Sequence, residues 1–346
     1  MITPYVTIEG RKEFERNKTG FGYMVYDIAK AVGQREQVDV LCTDSRGNAF
    51  IKESVNYIGR SLWLFFKHIN SICTFKIVAG LIKRYKMSFG ATIRLWYYWL
   101  MSGYVTHVIK NGGYDVVHIH GCLFCDELWI DICKRGNTRF LITLHGLDSY
   151  SDTVSLEKAG KRYERDFLRR VVDGEIPITV ISTGMKRLIE KTYCVKDCNS
   201  ITVVCNSFSF NDNGSVHPLV ENIDYGNDSN IVLCVGNIGR RKNQEQLIRA
   251  FELLPEELAQ KTYILFLGGN QEEDYTIDIM AENSLWRTHY IACGVVPKEK
   301  VACYYERCNA VALMSLSEGF GLSLIEGMHF GKPSMSFSDI DAFEDI

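Results

Sequence analysis

The residues with most chemistry to offer stand in two stretches. One is Glu318-Gly-Phe-Gly321-Leu-Ser-Leu-Ile-Glu326; the other is an upstream basic loop, Gly236-Asn-Ile-Gly239-Arg-Arg241-Lys242. A glycine loop that opens a helix leaves backbone N–H groups free and brings the positive end of the helix dipole to the loop, which suits a phosphate. Carboxylates repel phosphate, so Glu318 and Glu326 fit there only if the ligand also carries hydroxyls. An ionised carboxylate is a pure acceptor and can hold two of them at once. The basic loop supplies the complement. Negative charge builds on a diphosphate as it departs, and cations fixed at its oxygens stabilise that transition state more than the ground state. A ligand that is part phosphate and part sugar is the one these residue types describe.

Elements that could position them are legible around each stretch. Ala310–Met314 is a short apolar run of buried-strand type, Leu322–Phe330 reads as a helix, and Gly331 and Pro333 end it. The basic loop lies between a strand at Asn230–Val235 and a helix at Glu245–Leu254. Further strands are predicted at Tyr5–Ile8, Val38–Thr43, Val116–His120, Phe140–Leu144, Thr179–Ser182, Ile201–Cys205, Tyr263–Leu267, Tyr290–Cys293 and Ser334–Phe337. Strands alternating with helices predict an α/β fold of doubly wound parallel sheets. Asn206–Ser229, rich in Asn, Asp, Gly and Ser, reads as a linker between domains at 1–205 and 230–346. A glycine pair, Gly20 and Gly22, precedes an amphipathic helix at Tyr23–Val32. His120 and His145 stand at or just beyond two strand ends, with Asp148 close by.

Two glutamates at that interval, with Gly-Phe-Gly between them and Gly331-Lys-Pro333 after, resemble the signature of the family 4 retaining glycosyltransferases, which use nucleotide-sugar donors. The resemblance implies the GT-B fold, two Rossmann-like domains facing each other across a cleft. It also implies a hexose moved from a nucleotide-diphosphate sugar to a hydroxyl acceptor with retention, without a cofactor or metal. Carried over by position, it makes Glu318, Lys242 and His145 the catalytic group. Glu318 would bind sugar hydroxyls and Glu326 the ribose. Gly20, Gly22, Arg240, Arg241, Val295 and the amides of Phe320, Gly321 and Leu322 would bind the donor, and His120 would lie on the acceptor side. The family's arginine after the first glycine is Asn237 here, and Arg240 or Arg241 is expected to replace it. Members normally continue with further closing elements, so the chain reads as truncated at its C-terminus. A non-catalytic nucleotide-sugar-binding partner and a sugar-nucleotide epimerase are the alternative functions. A dinucleotide-binding dehydrogenase is disfavoured, since neither glycine loop extends to Gly-x-Gly-x-x-Gly.

A net charge of −3 predicts no attraction to nucleic acid. Twelve cysteines without a signal peptide point to a reducing cytoplasm, with Cys122, Cys125, Cys194 and Cys198 as structural thiols. Ser54–Tyr114 holds no acidic residue but many bases and aromatics, among them Lys67, Lys76, Arg84, Arg94, Trp63, Phe65, Phe66 and Trp96. Such a surface attracts anionic headgroups at about 1 kcal/mol per base. The expected partners are therefore a nucleotide-sugar donor, a sugar or lipid-linked acceptor and an anionic membrane face. Bacterial surface-polysaccharide assembly is the expected context, at the inner side of the membrane.

Overall fold

The computed structural model describes residues 1–3, 20–46, 50–52, 54–60, 67–68, 75–150, 158–207 and 228–346. Two compact units emerge, one holding Met1–Tyr150, Ser155–Ile181 and Lys186–Val204, the other built on Cys205–Ile346. The predicted strand Tyr5–Ile8, the aromatics Trp63, Phe65 and Phe66, and positions 208–227 of the expected linker lie outside the described residues.

The first unit carries the strands β1 (Ile2–Thr3), β2 (Val38–Arg46), β3 (Phe50–Lys52), β4 (Val55–Arg60), β5 (Val116–His120), β6 (Arg139–Leu144), β7 (Ile178–Val180) and β8 (Ile201–Val203). They form one sheet in the order β3-β4-β2-β1-β5-β6-β7-β8, parallel except for the β3–β4 pair. Reading Ser54–Tyr114 as a basic aromatic segment missed β4, whose Val55 and Tyr57 alternate into the core. The glycine pair is also corrected. The helix runs Gly20–Gly33, so Gly20 and Gly22 sit in its first turn instead of in a loop ahead of it.

The second unit has β9 (Asn230–Val235), β10 (Thr262–Leu267), β11 (Tyr290–Gly294), β12 (Ala310–Leu313) and β13 (Ser334–Ser336). All are parallel, in the order β11-β10-β9-β12-β13. A parallel sheet is covered on both faces, and its central strands are apolar on both. Ile264 and Phe266 pack with Leu247, Ile248 and Phe251 on one side, while Leu265 and Leu267 pack with Tyr304, Tyr305 and Val311 on the other. The chain builds outwards from β9 to β11, then returns to β12. The loops leaving β9 and β12 therefore flank the point where strand order reverses, where ligands bind in open α/β sheets.

Among the described residues no helix is long and apolar enough to cross a membrane. The bases and aromatics of positions 75–111 divide between core and surface. Tyr98 and Tyr104 are buried, Arg84 pairs with Asp166 at 2.8 Å, and Phe75, Phe89, Ile93 and Trp96 are exposed.

Candidate functional site

The loop after β9 is shaped by close backbone approach. Gly268, at the end of β10, has φ +150°, and a Cβ there would lie 2.2 Å from the Gly236 carbonyl oxygen. Only glycine lets these two strand ends touch. Asn243 then takes a left-handed conformation and caps the helix Gln244–Phe251. The buried Gln244 side chain holds the loop in shape. Its Oε1 accepts from the Gly239 amide at 3.2 Å and its Nε2 donates to the Asn237 carbonyl at 3.0 Å. The loop after β12 is tied to this one through main chain, the Leu316 amide donating to the Arg241 carbonyl at 2.9 Å.

These loops bring three charges together. Lys242 Nζ donates to Glu318 Oε1 at 2.5 Å, Ser315 Oγ donates to the same oxygen at 2.5 Å, and Arg241 Nη1 lies 3.4 Å from it. Arg241 also donates to the Ser317 carbonyl at 2.8 Å. The Glu318 side chain is only 10% exposed. Burial alone would push its pKa up, but Lys242, Arg241 and the hydrogen bonds from Lys242 and Ser315 outweigh burial and hold it below the usual carboxylate value. Arg240 is engaged elsewhere. It reaches Glu272 at 2.9 Å and Asp274 at 2.6 Å, with its guanidinium 5.2 Å from the Tyr275 ring. Of the two arginines the sequence leaves open, Arg241 is the one beside Lys242 and Glu318.

Phe320 is buried, and Gly321, at φ +99°, turns the chain into the helix Leu322–His329. A Cβ on Gly321 would lie 2.6 Å from the Phe343 ring, so glycine is required there by conformation and by space. The first amides of a helix have no partner within it, which leaves this turn able to donate to an anion. Glu326 lies on the same helix, its Oε2 accepting from the Tyr305 hydroxyl at 2.6 Å. Val295 is exposed just after β11, its Cγ2 3.1 Å from where a Gly269 Cβ would be.

In the first unit β5 sits beside β1 at the corresponding reversal of strand order. His118 and His120, two residues apart, share one face of it, with ring centroids 4.1 Å apart. His120 Nδ1 lies 3.1 Å from His145 Nε2, and His118 Nε2 lies 2.6 Å from the Thr143 hydroxyl, which meets Thr179 Oγ1 at 2.6 Å. Burial pushes the pKa of His118 and of His145 down to about 4, and that of His120 well below the ordinary histidine value. At neutral pH all three are neutral. Asp148 opens a short 3-10 turn, Asp148–Tyr150. The described cysteines, Cys122, Cys125, Cys194 and Cys198 among them, are thiols outside any disulfide.

Sequence reasoning named Lys242, Glu318, His120 and His145. It missed Gln244, His118 and Tyr305. A signal existed for His118, because His-x-His at a strand end puts both rings on one face. None existed for Gln244 or Tyr305, whose partners are distant in sequence or are backbone atoms.

Comparison with known proteins places these features in a family. The model described as Glycosyltransferase Family 4 matches residues 19–209, and that described as Glycosyl transferases group 1 matches residues 221–346. The serotype-specific mannosyltransferase WbdA of Escherichia coli is 32% identical over 124 residues, 35% of this chain but 15% of that protein's length. The 2-deoxystreptamine N-acetyl-D-glucosaminyltransferase of Niallia circulans is 24% identical over 270 residues, 73% of this chain and 66% of that one. Among solved structures, Anabaena HepE in complex with UDP superposes with a TM-score of 0.63 at 14% identity, covering 95% of this chain and 80% of that one.

Proposed function

The chain belongs to glycosyltransferase family 4 and has the GT-B fold of two Rossmann-like units, and on that premise we propose that it is a retaining, metal-independent hexosyltransferase. One observation carries the reading: the Lys242–Glu318 pair at 2.5 Å, with Arg241 beside it, at the strand-order reversal of the second unit. Residues 230–346 bind the nucleotide-diphosphate sugar, and residues 1–205 receive the acceptor.

Lys242 and Arg241 hold the diphosphate, helped by the amides of Phe320, Gly321 and Leu322. Arg240 shapes the loop through its acidic partners. Glu318 accepts hydrogen bonds from donor-sugar hydroxyls and Glu326 from the ribose, while Val295 borders the base. As the bond from the anomeric carbon to the phosphate oxygen breaks, the acceptor hydroxyl attacks the same face. Its proton passes to the departing phosphate, so no protein base is needed. His145, kept neutral by burial, gives the first unit a hydrogen-bonding group instead of a cation. His120 stands behind it on the acceptor side.

The relatives include a serotype-specific mannosyltransferase, which supports a role in surface-polysaccharide assembly. Phe89, Ile93 and Trp96 form an exposed stripe at helical spacing on Phe89–Asn111, with Lys76, Lys83 and Arg94 exposed nearby. That surface suits peripheral attachment to an anionic membrane from the cytoplasmic side, where a lipid-linked acceptor would be met.

The test is a thermal-shift panel of uridine, guanosine and adenosine diphosphate sugars, mannosyl and N-acetylglucosaminyl donors first. Transfer with the donor that binds is then followed with and without chelator. Retained anomeric configuration and chelator-insensitive turnover are expected; inversion, or turnover only with added divalent metal, overturns the mechanism. Binding without turnover would mark a non-catalytic partner, and a changed donor without acceptor an epimerase. Sedimentation with anionic vesicles across a salt series tests the membrane surface.

A further inference from the structure

We infer that Tyr305 is a positioning residue for nucleotide recognition, its phenol fixing Glu326 so that the carboxylate is set in advance to receive ribose hydroxyls. The inference rests on the reading of Glu326 as the ribose-binding carboxylate.

Tyr305 is fully buried on the helix Lys298–Arg307, where a phenylalanine would fill the same space without bringing a polar atom inside. A buried hydroxyl needs a partner. This one donates to Glu326 Oε2 at 2.6 Å; the Ser323 carbonyl lies farther off at 3.4 Å. One hydroxyl carries one proton, and the shorter contact, to a charged acceptor, takes it. The ring is held by full burial and lies parallel to Phe330, interplanar angle 2° and centroids 5.6 Å apart.

Glu326 is anchored from below as well. A Cβ on its neighbour Gly327 would lie 2.6 Å from Val311 Cγ2 and 2.8 Å from Ser334 Oγ, so the helix Leu322–His329 rests directly on β12 and β13 at this point. Glycine fixes the height of the backbone and the phenol fixes the side chain above it. A free glutamate loses rotamer freedom when it binds; one already held loses little, and the difference appears as affinity. Burial, and next the charge of Glu326, push the Tyr305 pKa well above the ordinary tyrosine value, so the phenol remains a donor.

The variant Tyr305→Phe keeps the ring and its stacking. The probes are the nucleoside diphosphate that binds the wild type best and its 2′,3′-dideoxy counterpart, titrated calorimetrically, with melting temperature as the control for folding. The wild type is expected to prefer the ribonucleotide. Y305F should melt as the wild type does and lose about tenfold in ribonucleotide affinity, with dideoxynucleotide affinity unchanged, so that discrimination collapses. E326Q should show the same collapse, and Y305F/E326Q should be no worse than E326Q alone. Equal loss for both nucleotides, which a merely structural role would give, overturns the inference, as does full discrimination retained in Y305F. A wild type that binds ribo- and dideoxynucleotide alike removes the ribose role of Glu326 itself. A wild type that binds no nucleoside diphosphate overturns the function proposed above, and this inference with it.

Discussion

The carboxylate cluster of the second unit and the histidine cluster of the first are both buried at a reversal of strand order, yet their charge states are opposite. Glu318 is ionised because Lys242, Arg241 and Ser315 surround it. His118, His120 and His145 face one another, with His118 also against Thr143, and burial and the neighbouring rings keep them neutral. Burial disfavours charge in both places; the partners decide the outcome. One cluster is therefore suited to answer the charge of a diphosphate, the other to hydrogen-bond a sugar without adding charge.

The comparison breaks most severely if the cation is removed. Lys242→Met should lower transfer by about 10²–10³-fold. It should also cost about 2–4 kcal/mol of stability, because the buried Glu318 loses its nearest cation and keeps Arg241 and the Ser315 hydroxyl. Steady-state rates and thermal denaturation measure the two effects.

Acid separates the clusters next. A histidine whose folded pKa lies below its unfolded value binds its proton more readily in the unfolded chain. The three rings should therefore begin to destabilise the first unit as pH falls below 6.5, with the cost of His118 and His145 complete near 4. A depression from 6.5 to about 4 corresponds to roughly 3 kcal/mol per ring. Glu318, its folded pKa below the ordinary glutamate value of 4.5, contributes stability that is present above 4.5 and lost only as pH falls through its lower folded value. Asp126 runs the other way, since burial raises its pKa from 3.8 to about 7 and its contribution is lost as pH rises across that window. Hydrogen exchange of the β5 amides in wild type and His120→Phe isolates the histidines, the variant losing less protection between pH 7 and pH 4.5.

Smaller effects sharpen the contrast within the second unit. Gln244→Leu removes both side-chain bonds to the loop after β9 and should cost about 1–2 kcal/mol, with diphosphate affinity falling alongside stability. Arg241→Ala should weaken diphosphate binding about tenfold. Arg240→Ala, which breaks two exposed ion pairs, should change stability by less than about 1 kcal/mol. Calorimetric titration of the two variants side by side decides which arginine serves the site.

Much of this was legible in the residues. Strands of the second unit, each an apolar run closed by glycine or a polar turn, were found within a residue or two of their ends, and Lys242 and Glu318 were named as partners in one site. What escaped has a physical reason. β4 hid in a segment whose bases and aromatics drew attention from the alternation of Val55 and Tyr57. The position of Gly20 and Gly22 shifted because two glycines so close together read as a loop, whereas the helix takes both into its first turn. The choice between Arg240 and Arg241 depended on Glu272 and Asp274, acids in a loop after a different strand. No local pattern carries that information.

The hydrogen bond from the Leu316 amide to the Arg241 carbonyl has a consequence for how this site can change. It joins the cation-bearing loop to the glutamate-bearing loop through atoms that every residue except proline possesses. Side chains on either loop can then be exchanged while the spacing between the loops is kept. Chemistry at this site is free to drift in identity because its frame is written in main chain.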